Sequence, residues 1–251
     1  MSTNTEDSSR LLQEKFKSYS SRVEYLYTNN IKAMREADVV ILGFKPYMAQ
    51  EILGDSGVRE AIEGKLVISM LAGVQALRIQ EIIWGDSTST KTLPYVARAI
   101  PSVAAQYCQS MTILEQTEPP LSPEHSKMLE TLFQLVGYIK YLPTKLVNLG
   151  TVLTTGSLAT LSVALEGFLD GAVVEGLKRK EALELVAHGV TGLSAMLENG
   201  AHPSLMREEI SSPRGCTIQT LMTVERGCTR ATFAQALIDG TQHLDKTAAR
   251  N

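Results

Sequence analysis

The hydrophobic positions of this chain follow two patterns, and the change between them falls near residue 143. Before it, short apolar runs alternate with amphipathic stretches, and the clearest runs are residues 39–44 (VVILGF), 66–70 (LVISM), 95–100 (YVARAI) and 138–142 (YIKYL). Continuous β-branched runs are typical of parallel strands that are buried on both faces. After residue 143 the pattern indicates helices only, with breaks at Gly176, Gly200 and Pro213. The chain is therefore predicted to hold an α/β domain with a mostly parallel sheet, followed by an all-helical domain.

Weaker signals complete this prediction. Residues 1–9 are small, polar and acidic, which indicates a disordered tail. A first helix is predicted over residues 10–20, a short strand over 23–28, a helix over 50–63 and a possible strand over 111–115. The predicted domain limits are residues 1–20 for the tail and first helix, 21–143 for the α/β domain and 144–251 for the helical domain.

Residues 146–165 (LVNLGTVLTTGSLATLSVAL) form a run of twenty residues without a charge. A run of this length must be considered as a membrane span. Its many Gly, Ser and Thr residues and the lack of an aromatic or basic belt favour a helix buried between other helices. Either it is a plain core helix, or its hydroxyl-rich part, with Thr155 and Ser157, lines a small-molecule cavity. Because few other helices remain to cover it, we expect a homodimer, or a higher oligomer, with a pocket at the helical interface.

Composition excludes several classes of partner. The net charge is -3 and 20% of the residues are charged, so no basic field indicates nucleic acid. The three cysteines lack the spacing of a zinc site or a disulfide framework, and no other metal site is predicted. The first residues do not have the pattern of a signal peptide. We therefore expect a cytoplasmic protein that acts on a small molecule and has neither a membrane nor a nucleic acid as partner.

Glu166 and Asp170 follow the charge-free run and lie four residues apart, on one face of the predicted helix. If half-buried, they could serve as a general acid and a general base. The alternative is that they form part of a solvated helix face.

Several motifs together resemble the pyrroline-5-carboxylate reductase family. They are ADVVILGFKP (37–46), VISMLAGV (67–74), VARAIPS (96–102), ALELVAHGVTGLSAMLENGAHPSLMREEISSPRGCT (182–217) and VERG (224–227). The resemblance covers roughly residues 23–246, and its strength lies in the order and spacing of the motifs. It implies a dinucleotide-binding domain, a helical domain that interlocks with a second subunit, and reduction of a cyclic imine to proline with NAD(P)H.

The resemblance also implies site residues. On the cofactor side these are Lys45, Pro46, Ala72 and Gly73, which match the family's strand-end motifs. On the substrate side, Ser212, Gly215 and Thr217 match positions that hold the substrate carboxylate and ring nitrogen, while Arg214 and Cys216 replace family residues in the same loop. A turn that leads into a helix N-terminus presents free N–H groups, which suits a carboxylate. Thr217 could cap this helix or contact the ligand. Arg214 and Cys216 are predicted to line the substrate site: Arg214 could pair with an acidic substrate or point to solvent, and Cys216 could be an activated thiol, although a buried, inert thiol is the preferred interpretation.

One departure from the family pattern concerns the part of the fold that binds the cofactor's pyrophosphate. The family's opening strand, Gly-rich turn and helix precede the segment that resembles residues 10–38, and this sequence contains no G-x-G-x-x-G. That turn holds a pyrophosphate by close backbone approach. The predicted fold is accordingly an incomplete Rossmann-like sheet followed by a helical dimerisation domain.

Three functions are considered for such a chain, and the first is preferred. It is a cofactor-independent enzyme that cyclises or isomerises a small molecule, such as a secondary metabolite, with Thr217, Glu166 and Asp170 as catalytic residues and no cofactor expected. The second is an NAD(P)H-dependent cyclic-imine reductase, with NADP(H) as its cofactor. The third is a non-catalytic dimerisation partner.

Overall fold

The computed structural model describes residues 1–3, 5–85 and 95–248, and these form two compact units. Unit 1 comprises Met1–Thr154 together with Thr241–Asn251, and unit 2 comprises Thr155–Gly240. The division thus falls eleven residues after the predicted limit at residue 143, because the first helix after the sheet packs on the sheet. The end of the last helix also returns to unit 1, which the sequence pattern did not indicate.

Unit 1 contains a five-stranded sheet with the order β3-β4-β5-β6-β7. Its strands are β3 (Val39–Leu42), β4 (Leu66–Ser69), β5 (Tyr95–Ile100), β6 (Ser110–Gln116) and β7 (Gly137–Pro143). All neighbouring pairs are parallel except β5 and β6, which are antiparallel. In register, Val67 lies opposite both Val40 and Val96, so the central apolar runs stack side by side. The prediction of a mostly parallel sheet is confirmed.

A separate two-stranded parallel sheet holds β1 (Ser2–Thr3) and β2 (Leu26–Tyr27). Between them runs helix α1 (Glu6–Lys15), so a disordered tail over residues 1–9 is wrong for the residues described there. Thr5 caps this helix, since its hydroxyl accepts from the Ser8 amide at 3.2 Å, and Glu6 and Asp7 face the positive end of the helix dipole. Local capping therefore orders a segment whose composition indicated disorder.

Strand β3 ends the larger sheet and has a neighbour on one side only among the described strands. Its composition is that of a central strand, yet Ile41 is 47% exposed. The described strands of unit 1 thus form two sheets rather than one, in agreement with the incomplete sheet that was predicted.

Helices cover both faces of the larger sheet. They are α2 (Asn30–Glu36), α3 (Ala49–Leu53), α4 (Val58–Ile62), α5 (Ala76–Trp84) and α6 (Pro123–Gln134). Ile79 of α5 packs with Val67 and Val96 on one face, and Leu129 of α6 packs with Ala97 and Ala99 on the other. The single helix predicted over residues 50–63 is wrong: Gly57 adopts φ +94° and separates α3 from α4.

Tyr141 on β7 gives this unit an alkaline pH dependence. Its hydroxyl donates to Glu130 Oε1 at 3.1 Å. Burial, assisted by this bond and by the charge of Glu130, raises the pKa of Tyr141 to about 12. An unfolded tyrosine titrates near about 10. The neutral phenol therefore stabilises the fold fully below pH of about 10, and this contribution is lost as the pH rises through about 12.

We expect Tyr141→Phe to reduce the fall in unfolding free energy over this pH window, as measured by urea denaturation at several alkaline pH values. Tyr138→Phe, at an exposed position on the same strand, is the control. Parallel pH profiles for the parent and Tyr141→Phe would contradict the assignment.

Helix α7 (Thr144–Thr151) follows β7, and a π-helical turn over Val152–Gly156 joins it to α8 (Ser157–Val174) in unit 2. Unit 2 also holds α9 (Arg179–Glu198), α10 (Pro203–Glu209), α11 (Cys216–Arg226) and the greater part of α12 (Thr229–Ala248). Among these described helices, α8 and α11 have no buried residue and α9 has only Ala182. The apolar side chains of unit 2 are therefore largely uncovered in the single chain.

The helical run Thr144–Val174 is long and apolar enough to cross a membrane by length and composition, with none of its most apolar window buried. Its first part is a packed helix: a Cβ built on Gly150 would lie 2.5 Å from Leu142 Cδ1. Gly150 therefore permits a close approach between α7 and the end of β7. The second part, α8, has no buried residue in the single chain, and its apolar side chains are exposed or half-buried.

Candidate functional site

The predicted site residues divide between the two units. Lys45, Pro46, Ala72 and Gly73 lie in unit 1, at the carboxyl ends of β3 and β4. The remaining predicted residues, Thr155, Ser157, Glu166, Asp170, Ser212, Arg214, Gly215, Cys216 and Thr217, lie in unit 2. The cofactor-side residues thus lie at two neighbouring strand ends, whereas the unit 2 residues are distributed over the π-turn, α8 and the start of α11.

The carboxyl ends of β3 and β4 form the candidate cofactor edge of unit 1. Lys45 is exposed, and Pro46 begins a short 3-10 turn that leads into α3. Ala72 is half-buried, whereas Gly73 is buried and adopts φ +79°. Ligands of open parallel sheets bind at this edge, outside the carboxyl ends of the strands. A cation, a small side chain and a glycine at adjacent strand ends fit the approach of a nucleotide.

The first helix of unit 1 does not supply a pyrophosphate site. A strand followed by a helix N-terminus occurs at β1–α1, but the Thr5 hydroxyl already accepts a helix amide there. Glu6 and Asp7 fill the first turn, and their charges would repel a phosphate. Neither the β1–α1 junction nor the candidate edge carries a G-x-G-x-x-G turn, a motif that the sequence does not contain.

The turn before α11 forms the candidate carboxylate site of unit 2. The Gly215 amide donates to the Ser212 carbonyl at 3.0 Å, and Gly215 is the N-cap residue of α11. A Cβ on Gly215 would lie 2.5 Å from Ser212 Oγ and 3.1 Å from the Ser212 carbonyl oxygen, so the turn is tightly packed at this residue. No side chain caps this helix. Its first amides are therefore available to an oxyanion, as the sequence predicted.

Two expectations about this turn are wrong. Thr217 is not the cap of α11, because Gly215 occupies that position, which leaves ligand contact as the open alternative. Cys216 is exposed in the single chain rather than buried. Arg214 adopts φ +61°, so an arginine here holds a left-handed conformation that favours glycine.

The hydroxyl-rich segment contains a feature that sequence periodicity missed. The π-helical turn Val152–Gly156 includes Thr155 and ends where Ser157 begins α8. Thr151 and Thr154 donate to the carbonyls of Val147 and Gly150, at 2.8 and 2.9 Å. These bonds satisfy the hydroxyls within the helix itself. π-turns inside helices occur often at functional sites, and consecutive Thr and Gly residues were the available signal.

Glu166 and Asp170 both lie on exposed positions of α8. Asp170 forms an ion pair with Arg179 at the start of α9. The half-buried environment that their proposed acid–base role requires is thus not provided by the single chain. Their catalytic role stays a prediction.

A buried polar network in unit 1 was not predicted at all. Arg98 on β5 is 1% exposed and Glu115 on β6 is 5% exposed, and Arg98 Nη1 lies 3.5 Å from Glu115 Oε2. Arg98 Nη2 donates to Asn148 Oδ1 at 3.3 Å, and Asn148 Nδ2 donates to Asp245 Oδ1 at 2.8 Å. Burial lowers the pKa of Arg98, and the charge and hydrogen bond of Glu115 oppose this shift. An arginine within the apolar run YVARAI was the only signal in the sequence.

Other sites find little support among the described residues. No group of three His, Cys, Asp or Glu side chains there could hold a metal ion. An open cleft of about 670 Å³ lies beside α5, the end of β6 and the start of α7. It contains none of the predicted site residues.

Two family models match the chain. Residues 144–247 match the model for pyrroline-5-carboxylate reductase dimerisation, and residues 1–73 match the model for coenzyme F420-dependent NADP oxidoreductase. The first match starts at α7 and covers the helices whose apolar side chains are uncovered. It supports homo-oligomerisation through unit 2.

Curated relatives match most of the chain. A pyrroline-5-carboxylate reductase of Lophium arboricola is 38% identical over 226 residues, which are 89% of this chain and 71% of that protein. A pyrroline-5-carboxylate reductase of Schizosaccharomyces pombe is 30% identical over 245 residues, or 94% of this chain and 83% of that protein.

Solved structures agree on the fold. The 1-pyrroline-5-carboxylate reductase of Streptococcus pyogenes superposes with a TM-score of 0.83 at 24% identity, covering 98% of this chain and 88% of that one. A Plasmodium falciparum pyrroline carboxylate reductase with NADP bound gives 0.80 at 19% identity, covering 90% and 84%. Sequence relatives, domain order and fold agree, and the chain belongs to the pyrroline-5-carboxylate reductase family.

Proposed function

We propose that this protein is an NAD(P)H-dependent reductase of a cyclic imine that carries a carboxylate, of the pyrroline-5-carboxylate type. The observation that carries the proposal is the uncapped N-terminus of α11 behind the Ser212–Gly215 turn, within a segment matched to relatives named as reductases. These relatives, and the NADP-bound Plasmodium falciparum structure, favour this function over cofactor-independent cyclisation or isomerisation. Those two reactions have no support among the relatives.

Different residues of this chain would bind the substrate and the cofactor. The first amides of α11 would receive the substrate carboxylate, and the Thr217 hydroxyl would donate to it or to the ring nitrogen. The exposed Lys45 and the small residue Ala72 would bind NADP(H) at the ends of β3 and β4. A reduced nicotinamide held there would supply a hydride to the imine carbon, and a proton from solvent would complete the amine at the ring nitrogen.

We propose a homodimer as the active form. The described helices α8 and α11 have no buried residue, and the residues that carry them match a dimerisation domain. A second copy would cover the same apolar surfaces on both subunits, as a two-fold interface requires.

A non-catalytic dimerisation partner is the second candidate. The observation that favours it is the one-sided pairing of β3 among the strands that the structure describes. Calorimetric titration with NADPH separates the two candidates. Heat of binding with saturation below millimolar cofactor supports the reductase, and no heat at millimolar NADPH would leave only the partner role.

Thr217→Val tests the substrate side of the proposal. The change keeps the shape of the side chain and removes its hydroxyl, so a charge-assisted hydrogen bond to substrate is lost. We expect the KM for pyrroline-5-carboxylate to rise by about tenfold or more, at saturating NADPH in a cofactor-absorbance assay. Thr223→Val, on an exposed position of the same helix, is the matched control. An unchanged KM in Thr217→Val would remove Thr217 from the site.

A further inference from the structure

The last turn of α12 lies against the candidate cofactor edge. A Cβ built on Gly73 would lie 2.9 Å from Leu244 Cδ1 and 3.5 Å from the Leu244 carbonyl oxygen. Gly73 is buried at this point and takes φ +79°. The side chain of Leu244 therefore rests directly on the backbone that follows β4, next to the half-buried Ala72.

Asp245, the residue after Leu244, connects this turn to helix α7 by a hydrogen bond. Asp245 is exposed, and its carboxylate accepts from Asn148 Nδ2 at 2.8 Å. The other end of the same amide, Asn148 Oδ1, accepts from the buried Arg98 at 3.3 Å. Because Arg98 is in turn paired with Glu115 across β5 and β6, the position of Asn148 is set from inside the sheet.

An amide suits the middle of this chain of contacts because it both accepts and donates hydrogen bonds. An aspartate at residue 148 would still accept from Arg98, but it would place a second negative charge beside Asp245. An apolar residue would lose both bonds. The contact between α7 and α12 therefore depends on the amide rather than on shape alone.

We propose that the Asn148–Asp245 hydrogen bond is a positioning device that holds Leu244 against Gly73 and so fixes the end of β4 where the nicotinamide part of NADP(H) binds. This inference rests on the proposed function. Asn148 and Asp245 act through Leu244 and do not contact the nucleotide. Release of the turn lets the segment after β4 move, which lowers the rate of hydride transfer more than it weakens cofactor binding.

Charge exchange across this bond is the test. Asn148→Asp places two carboxylates together, and the double variant Asn148→Asp/Asp245→Asn restores a donor opposite an acceptor. Asp245→Ala removes the bond from its exposed end and leaves the buried network intact. Asp239→Asn, earlier on α12, is the control, because it removes an exposed carboxylate charge and keeps an oxygen that can accept the bond from Gln235.

Two measurements are made on the full chain, namely amide hydrogen exchange over residues 241–248 and steady-state kinetics with NADPH and pyrroline-5-carboxylate. In Asn148→Asp and Asp245→Ala we expect exchange to be faster by about fivefold. The kcat should fall by about tenfold while the KM for NADPH stays within about twofold. The double variant should recover both values, and Asp239→Asn should match the parent.

The outcomes are distinct. Unchanged exchange in Asn148→Asp and Asp245→Ala, or faster exchange with unchanged kcat, overturns the positioning role and leaves the proposed function intact. Failure of the double variant to recover kcat also overturns it. A parent protein without NADPH-dependent turnover overturns the proposed function, and the positioning role with it.

Discussion

Leu161→Arg is expected to convert the protein from a dimer into a monomer at micromolar concentration. Leu161 lies on α8 and is 52% exposed in the single chain, on a helix without a buried residue. Burial of a leucine side chain contributes about 1.5–3 kcal/mol, and an unpaired arginine in its place adds a desolvation cost of several kcal/mol. Together these raise the dimer dissociation constant by roughly a thousandfold or more.

Sedimentation velocity in detergent-free buffer measures this change. Leu11→Arg is the matched control, because Leu11 is 67% exposed on α1 and lies outside the residues that match the dimerisation domain. Leu185→Arg on α9 provides a second variant, at a position that is 65% exposed. A parent protein that is monomeric, or that stays in solution only with detergent, would contradict the dimer and reopen a membrane role for residues 144–174.

Loss of the Glu115 carboxylate is expected to have the largest effect on stability. Glu115→Ala leaves the guanidinium of Arg98 buried without its counter-charge, and breaking a buried pair in this way costs about 3–5 kcal/mol. Domains have free energies of unfolding of about 5–15 kcal/mol, so this variant should approach the limit of folding. The measurement is urea denaturation of the parent and variant.

Two further variants separate the pair from simple cavity formation. The double variant Arg98→Met/Glu115→Leu removes both charges and fills the space, and it should recover most of the lost stability. Glu225→Ala breaks the ion pair with Arg230, in which both side chains are substantially exposed, and should cost no more than about 1 kcal/mol. If Glu115→Ala costs as little as Glu225→Ala, the buried pair does not hold β5 and β6 together.

Unit 1 was largely predictable because its signals are local. Each of the runs VVILGF, LVISM, YVARAI and YIKYL became a strand within one or two residues of its predicted limits. The start of α6 also carries a local signal, since the Ser122 hydroxyl accepts from the His125 amide and Pro123 occupies the first helical position. Two predictions in unit 1 were wrong. The disordered tail was predicted because the capping signal at Thr5 is weak, and the single helix over residues 50–63 is interrupted at Gly57.

The candidate site was predictable only as a list of residues. The motif Ser212–Thr217 indicated a helix N-terminus, and the structure added that Gly215, not Thr217, is its N-cap. Hydrophobic periodicity predicted one continuous helix across residues 146–165 and could not predict the π-turn at Val152–Gly156. One extra residue in a helical turn leaves the apolar pattern nearly unchanged, which is why the sequence did not reveal it.

The fold class, the order of strands and helices, and the excess of apolar surface on the helices after residue 143 could all be predicted from the amino-acid pattern. These properties follow from the period of the side chains along one element. The antiparallel pairing of β5 and β6, the contact of Arg98 with Glu115, and the bond between Asp245 and Asn148 across 97 residues became visible in the folded chain alone. Such contacts depend on how elements pack rather than on their local pattern, so no stretch of sequence contains them.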